Sequence, residues 1–135
     1  MCFGYRSSAV REKKWTVLSA EFELQADSTE SIISRMNAYN ASRREKQPLQ
    51  YPSAGSFFKR PADNYAGALI EQAGLKGFSI GGAKVSELHA GFLINTGNAR
   101  ALDFIRLMAH VQNTVFLKTC IWLLPEVHII GQEKE

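Results

Sequence analysis

Apolar and polar side chains alternate along residues 15–24, which predicts a β-strand with one buried face. Asp27 and Ser28 then offer oxygens that can cap a helix, and Glu30 follows three residues after Asp27. Apolar residues at helical spacing come next, so we expect a helix that ends near Arg44. The apolar positions of this helix are Ile32, Ile33, Met36 and Tyr39.

No hydrophobic period runs through residues 47–64, which contain three of the four prolines and Gly55. This composition predicts a loop. A loop of this length is uncommon in a compact domain unless it binds or catalyses. We therefore expect functional residues within it.

Two shorter elements are predicted after this loop. Residues 65–73 have helical spacing with Leu69 and Ile70 inward, and Gly74 is typical of the left-handed residue that ends a helix. The apolar run over residues 92–95 predicts a strand.

The glycine-rich residues 77–84 resemble a phosphate-binding loop only superficially. Such a loop needs Lys directly after its last glycine and then Ser or Thr, whereas Ala83 follows here. Gly81 and Gly82 therefore indicate a tight turn or a close approach of the backbone, although backbone amides there could also bind a phosphate.

The last third of the chain predicts a longer helix and a terminal strand. Asn98 can cap the helix, and residues 120–130 have the composition of a strand that Pro125 interrupts at a bulge or an edge. The predicted core stripe of the helix is Leu102, Ile105, Met108 and Ala109. The irregular order of strands and helices favours an α+β fold, a single domain of mixed sheet packed with helices.

Composition limits the possible classes of protein. With 135 residues, 45% hydrophobic, one domain is expected. No apolar run is long enough to cross a bilayer and the N-terminus lacks a secretion signal, which favours a soluble, cytoplasmic protein without a membrane partner. The net charge of +3 is too small for a dedicated nucleic-acid binder, although it permits an anionic small ligand.

Cysteine and histidine positions argue against a metal site. Cys2 and Cys120 match no metal-ligand spacing, and Cys120 lies in an apolar stretch where we expect a small core residue. The histidines are widely separated and form no paired motif, so no metal is expected. They are His89, His110 and His128.

Ser56 and Glu126 are the candidate chemical groups, each with an alternative. Ser56 lies beside Gly55, where a substrate could approach the backbone and exchange a proton with the hydroxyl. Local chemistry alone favours a turn cap instead, with the neighbouring Lys59 and Arg60 solvated. Glu126 lies in an apolar segment that could keep its carboxyl protonated, but the strand period allows a solvent-facing side chain equally well. For Arg6 and His89, local sequence favours ordinary surface or packing roles.

Several strings of residues resemble the UDP-N-acetylenolpyruvoylglucosamine reductase (MurB) family. In chain order they are Phe3-Gly4-Tyr5-Arg6-Ser7-Ser8, Gln47-Pro48-Leu49, Pro52-Ser53-Ala54-Gly55-Ser56-Phe57-Phe58-Lys59-Arg60-Pro61, Ala66-Gly67-Ala68-Leu69-Ile70-Glu71, Gly74-Leu75-Lys76-Gly77, Ile80-Gly81-Gly82-Ala83, Val85-Ser86, His89-Ala90-Gly91, Leu124-Pro125-Glu126-Val127 and Ile130-Gly131. Their order and spacing extend over nearly the whole chain.

The resemblance is to the C-terminal part of that family. It implies the substrate-binding domain of an oxidoreductase that uses NADPH and FAD to convert a UDP-linked enolpyruvyl sugar to UDP-N-acetylmuramate for peptidoglycan. It further implies that residues 1–12 are a stub of the preceding FAD-binding region and that residues 13–135 form the substrate domain. We expect this chain to be inactive without that FAD-binding domain as its partner. The alternative is a stand-alone nucleotide-sugar binding module without reductase activity.

The resemblance also assigns roles by position. Ser56 matches the proton donor, while Arg6 and Glu126 match the pair that stabilises the enolate formed by hydride addition. The residues that match positions touching the nucleotide-sugar are Lys46, Arg60 and His89. Two positions depart from the family pattern, since Leu124 replaces a common Glu and Ser7 replaces a frequent acidic residue. Neither departure removes a proposed catalytic group.

Overall fold

The computed structural model describes residues 2–131. Contacts divide the chain into two compact units, Met1–Arg35 and Met36–Glu135. The helices are α1 (Ala9–Glu12), α2 (Thr29–Lys46), α3 (Ala66–Gln72) and α4 (Ala101–Thr119), and the strands are β1 (Ser53–Ser56), β2 (Ser79–Ile80), β3 (Ala83–Val85) and β4 (Phe92–Asn95). The α+β class is confirmed. None of the described helices is both long and apolar enough to cross a membrane.

The first unit differs from the sequence prediction. Residues 15–24 form no strand, and the side chains of Leu18 and Phe22 are 93% and 78% exposed. Alternation shows which side chains would share a face, but a strand also needs a neighbour to complete its backbone hydrogen bonds. The described residues of this unit provide no such neighbour, so the predicted strand is wrong.

The predicted helix after residue 27 is confirmed as α2. Its start is fixed by the Ser28 hydroxyl, which accepts a hydrogen bond from Ser31 N at 3.2 Å. Arg35 forms an ion pair with Asp27 at 2.7 Å, which favours the first turn further. No residue of α2 is buried, so its apolar positions remain exposed.

The second unit is built on a four-stranded sheet in the order β1-β4-β3-β2. Each neighbouring pair is antiparallel, so the sheet is antiparallel where we predicted a mixed one. Strand β4 confirms the predicted strand over residues 92–95. Strand β1, in contrast, lies inside the segment that we predicted to be a loop throughout.

The sheet places one face against the core. Val85 pairs with Leu93, and both are fully buried, whereas Lys84 between Ala83 and Val85 points to the other face. Helix α4 packs against β2, β3 and α3. The buried side chains that it contributes to the hydrophobic core are Leu107, Val111 and Val115.

These core positions correct the predicted stripe of α4. Leu102 and Ala109 are exposed, and Ile105 and Met108 are only half-buried. The helix carries apolar residues on two faces, and periodicity could not tell which one meets the sheet. The predicted cap is also wrong, because the helix begins after Arg100 rather than Asn98.

The turn between β2 and β3 packs closely on the start of α4. Asp103 accepts hydrogen bonds from Arg100 N at 2.9 Å and from Gly82 N at 3.4 Å. These backbone donors lower the pKa of Asp103, with the bond from Arg100 as the main cause. The predicted tight turn at Gly81 and Gly82 is thus confirmed, as is the short helix after residue 65, which ends at Gly74 with φ +76°.

The predicted terminal strand over residues 120–130 is wrong. Only Pro125 forms a bridge, to Phe58, within this segment. The segment is held instead by single bonds, such as the buried Gln112 Nε2 donating to Leu123 O at 2.8 Å. Cys120, predicted to be buried, is exposed because it ends α4 in a left-handed conformation with φ +57°.

Candidate active site

An extra residue in β1 shapes the edge of the sheet where Ser56 lies. Ser53 pairs with Ile94 and Ser56 pairs with Phe92. The two pairs are thus three residues apart along β1 but only two residues apart along β4. This shift in register is a β-bulge. It contains Gly55, whose φ of +78° is a left-handed conformation that glycine adopts readily.

The two residues after Gly55 have opposite environments. Ser56 is exposed, whereas Phe57 is 6% exposed and stacks on Phe104 of α4 with ring centroids 6.4 Å apart. Phe57 N also donates to Gly91 O at 2.9 Å, which keeps the chain beside β4. Ser56 is therefore at the surface, where a hydroxyl can exchange a proton with a bound molecule.

Glu126 is held next to the end of β1 by the backbone. Its N–H donates to Phe57 O at 2.9 Å, beside the bridge between Phe58 and Pro125. Glu126 is half-buried, and its side-chain Oε2 is removed from solvent. The structure thus brings Glu126 to Phe57, the residue that follows Ser56, although the two are 69 positions apart in sequence.

On the face of the sheet that carries Ser53, the charge of Lys84 is neutralised by Glu87. Lys84 pairs across the sheet with Ile94, which in turn pairs with Ser53, so the three side chains share a face. Lys84 Nζ donates to Glu87 Oε1 at 2.5 Å. This contact raises the pKa of Lys84 and lowers the pKa of Glu87, in each case mainly through the hydrogen bond.

An apolar groove of about 550 Å³ lies between β1, the start of α4 and residues 127–130. Phe57, Phe104 and Met108 line it, and Ser53 and Asn95 contribute its polar atoms. No cationic side chain lines the groove among the described residues. Its chemistry suits an apolar group rather than a phosphate.

Residues 47–130 match the model of the protein family described as "UDP-N-acetylenolpyruvoylglucosamine reductase, C-terminal domain". The chain belongs to this family. The match includes β1, its bulge and the segment around Glu126.

Curated relatives and a solved structure agree with this assignment. UDP-N-acetylenolpyruvoylglucosamine reductase of Caldanaerobacter subterraneus is 53% identical over 133 residues, and that of Latilactobacillus sakei is 49% identical over 133 residues. Each alignment covers 98% of this chain and 44% of the relative. The chain therefore spans less than half the length of these relatives. The crystal structure of MurB from Thermus caldophilus has a TM-score of 0.61 at 40% identity, covering 67% of this chain and 34% of that one.

His89 occupies a packed and hydrogen-bonded position in this family member. Its Nδ1 accepts a hydrogen bond from Gly91 N at 3.1 Å, and its ring meets Phe92 edge-on with centroids 5.0 Å apart. The buried Ser86 hydroxyl accepts a bond from His89 N at 3.3 Å. Because Nδ1 is an acceptor, Nε2 carries the proton of the neutral ring and can donate to a ligand.

Arg60 and Lys46 lie at the surface of the same unit. The guanidinium of Arg60 stacks over the Tyr65 ring at 4.1 Å from its centroid, and its Nε donates to Asn64 O at 3.3 Å. Lys46 is exposed at the end of α2. Arg60 is thus oriented by two contacts before any ligand binds.

Arg6 belongs to the first unit and has a left-handed backbone with φ +56°. It lies in a turn closed by the bridge between Gly4 and Ser7, and its carbonyl accepts a hydrogen bond from the Arg11 side chain at 3.0 Å. Its predicted pairing with Glu126 to stabilise an enolate stays a prediction.

The bulge at Gly55, next to Ser56, was not predicted from the sequence. An isolated glycine within a strand is a known signal for a bulge. Gly55 gave this signal, but the flanking prolines masked the strand around it. The described residues contain no cluster of three or more His, Cys, Asp or Glu side chains able to hold a metal ion.

Proposed function

We propose that this chain supplies the substrate-binding domain of a reductase that converts UDP-N-acetylglucosamine enolpyruvate to UDP-N-acetylmuramate. The observation that carries the proposal is the arrangement at the end of β1. The exposed Ser56 follows the bulge at Gly55 there. The half-buried Glu126 lies beside it, because its backbone N–H donates to the carbonyl of Phe57.

Ser56 acts as the proton donor in this proposal. Reduction of the enolpyruvyl double bond adds a hydride to the carbon distal to the carboxylate and a proton to the adjacent carbon. The hydroxyl of Ser56 delivers that proton, and its position at the surface allows the close approach that proton transfer requires.

Glu126 and Arg6 stabilise the intermediate charge. Hydride addition leaves an enolate on the carboxylate side of the double bond. A protonated carboxyl of Glu126 and the guanidinium of Arg6 would donate hydrogen bonds to this enolate. Such donors favour the transition state over the ground state because the charge develops only during the reaction.

Lys46, Arg60 and His89 bind the nucleotide-sugar in this proposal. The two cations suit its diphosphate, and Nε2 of His89 suits a sugar or phosphate oxygen. The stacking of Arg60 on Tyr65 supports the role because a restrained guanidinium loses less side-chain entropy on binding.

The apolar groove of this chain does not fit FAD or NADPH. The apolar groove lacks a cation for the pyrophosphate of either dinucleotide. We propose that FAD binds mainly to the additional region that the longer relatives possess, where the flavin supplies the hydride, and that NADPH is the reductant. In this proposal residues 1–12 are a stub of that region, residues 13–135 are the substrate domain, and the enzyme is cytoplasmic.

A chimeric reductase tests the function. The segment of the Caldanaerobacter subterraneus relative that this chain does not span is fused in front of the full chain. We expect substrate-dependent oxidation of NADPH by this chimera, none by the isolated chain, and calorimetric binding of the enolpyruvyl sugar by the chimera. A folded, FAD-loaded chimera that binds the sugar without turnover would support a binding module instead, and one that does not bind it would contradict the proposal.

A further inference from the structure

The bulge at Gly55 determines which side chain after it enters the core. Residues opposite each other in an antiparallel pair point to the same face, so Ser53, Ser56, Phe92 and Ile94 share one face of the sheet. In a regular strand, residues three apart would point to opposite faces. The extra residue therefore reverses the alternation between Ser53 and Ser56.

A regular β1 would exchange the environments of Ser56 and Phe57. Removing the bulge shifts the register by one residue, and such a shift turns each following side chain to the other face. Ser56 would then face α4, and Phe57 would leave its contact with Phe104. The observed register thus places the hydroxyl outside and the aromatic ring inside.

We propose that Gly55 is a positioning residue for the proton donor Ser56, and this inference rests on the proposed function. Gly55 acts through its left-handed backbone, since an added Cβ would meet no atom within 4 Å. Its N–H is directed to the Ser53 hydroxyl at 3.4 Å. A larger side chain would therefore perturb the bulge through backbone strain and not through a clash.

Gly74 provides a matched control for this strain. It has φ +76°, against +78° for Gly55, and an added Cβ there also meets no atom within 4 Å. Gly74 ends α3 and does not adjoin Ser56 or Glu126 in sequence. The same substitution at the two positions therefore imposes nearly the same backbone strain. Only the substitution at Gly55 is expected to move Ser56.

The experiment compares Gly55→Val, Gly55→Asn, Gly74→Val and Ser56→Ala in the chimeric reductase. Stopped flow measures flavin reduction by NADPH and reoxidation of the reduced flavin by the enolpyruvyl sugar separately. Misplacement of a reacting group by about 1 Å can cost about 100-fold in rate. We expect Gly55→Val to slow reoxidation by about 10- to 100-fold, with flavin reduction unchanged. Gly74→Val should leave both steps within about twofold of the parent, and Gly55→Asn should recover most of the rate because asparagine tolerates this conformation.

Each outcome bears on the inference. The inference would be overturned if valine slowed reoxidation equally at the two glycines, or if Gly55→Val slowed both half-reactions. A reoxidation rate of Gly55→Val equal to that of the parent would overturn it as well. Circular dichroism shows whether each variant is folded. If Gly55→Val does not fold, the deciding comparison is between the reoxidation rates of Gly55→Asn and Gly55→Ala. An inactive parent would instead contradict the proposed function, and a fully active Ser56→Ala would contradict the role of the serine.

Discussion

Replacing Gly82 with alanine is expected to destabilise the chain by about 3 kcal/mol, the upper end of the range for overpacking. A Cβ at this position would lie 2.3 Å from Ala99 N and 2.6 Å from Ala99 Cα and from Asn98 C. All three are backbone atoms and cannot rotate out of the way. The turn between β2 and β3 must therefore move away from the start of α4.

The size of that movement determines how much stability Gly82→Ala loses. Carbon atoms in contact are normally about 3.5–4.0 Å apart, so the turn must retreat by about 1 Å or more. Gly82 O accepts bonds from Thr96 N and Thr96 Oγ1, both at 2.9 Å, and Gly82 N donates to Asp103. Each weakened bond costs about 0.5–1.5 kcal/mol, and this loss is why the expected total lies at the upper end of the overpacking range.

Urea unfolding of the full chain, followed by circular dichroism, measures this cost. Gly74→Ala is the matched control, because a Cβ there meets open space and introduces only left-handed strain of about 1 kcal/mol. Gly82 does not share that conformation, so its cost is steric. A Gly82→Ala variant as stable as Gly74→Ala, or more so, would refute the close packing of the turn on α4.

Three further outcomes are expected. Ser56→Ala in the chimeric reductase should slow flavin reoxidation by about 100-fold and leave reduction by NADPH intact, because only reoxidation needs the proton; equal loss in both steps would contradict this role. The pKa of Asp103 is lowered in the folded chain, mainly by the hydrogen bond from Arg100 N, so its stabilising effect is present above the unfolded pKa and is lost as the pH falls through the folded value. Wild type should therefore exceed Asp103→Asn in stability near neutral pH and lose that advantage below about pH 3.9, and a difference independent of pH would argue against this linkage. Gln112→Met should cost about 1–3 kcal/mol in urea unfolding, because the buried Leu123 carbonyl loses its donor; an unchanged midpoint would show that another group replaces it.

The helices of the second unit were largely predictable, whereas in the sheet only β4 and the turn between β2 and β3 were. Helix α3 and its glycine end follow from local spacing and one special backbone conformation, both of which are visible in sequence. Strand β1 escaped prediction because a bulge destroys its alternation and its partner, β4, lies about 40 residues away. A strand whose pairing is non-local and irregular leaves little local signal.

The residues of the candidate site could be selected from the sequence, but the contacts between them could not. Chemistry alone left Ser56 and Glu126 open, and the resemblance to the reductase family selected them. What sequence could not supply was the backbone bond from Glu126 to Phe57, because only the folded chain brings these residues together. The predicted stripe of α4 was wrong for a related reason: Ile105 and Met108 line the groove, and Met108 packs against the core only as a partly buried residue.

The bulge in β1 also protects an open border of the protein. In the described sheet, β1 and β2 are the outermost strands, and β2 has only two residues. A regular outer strand presents an even row of backbone donors and acceptors that a second molecule can extend into an intermolecular ladder. Gly55 breaks that row after two residues, so the conformation that exposes the Ser56 hydroxyl also disfavours self-association into fibrils.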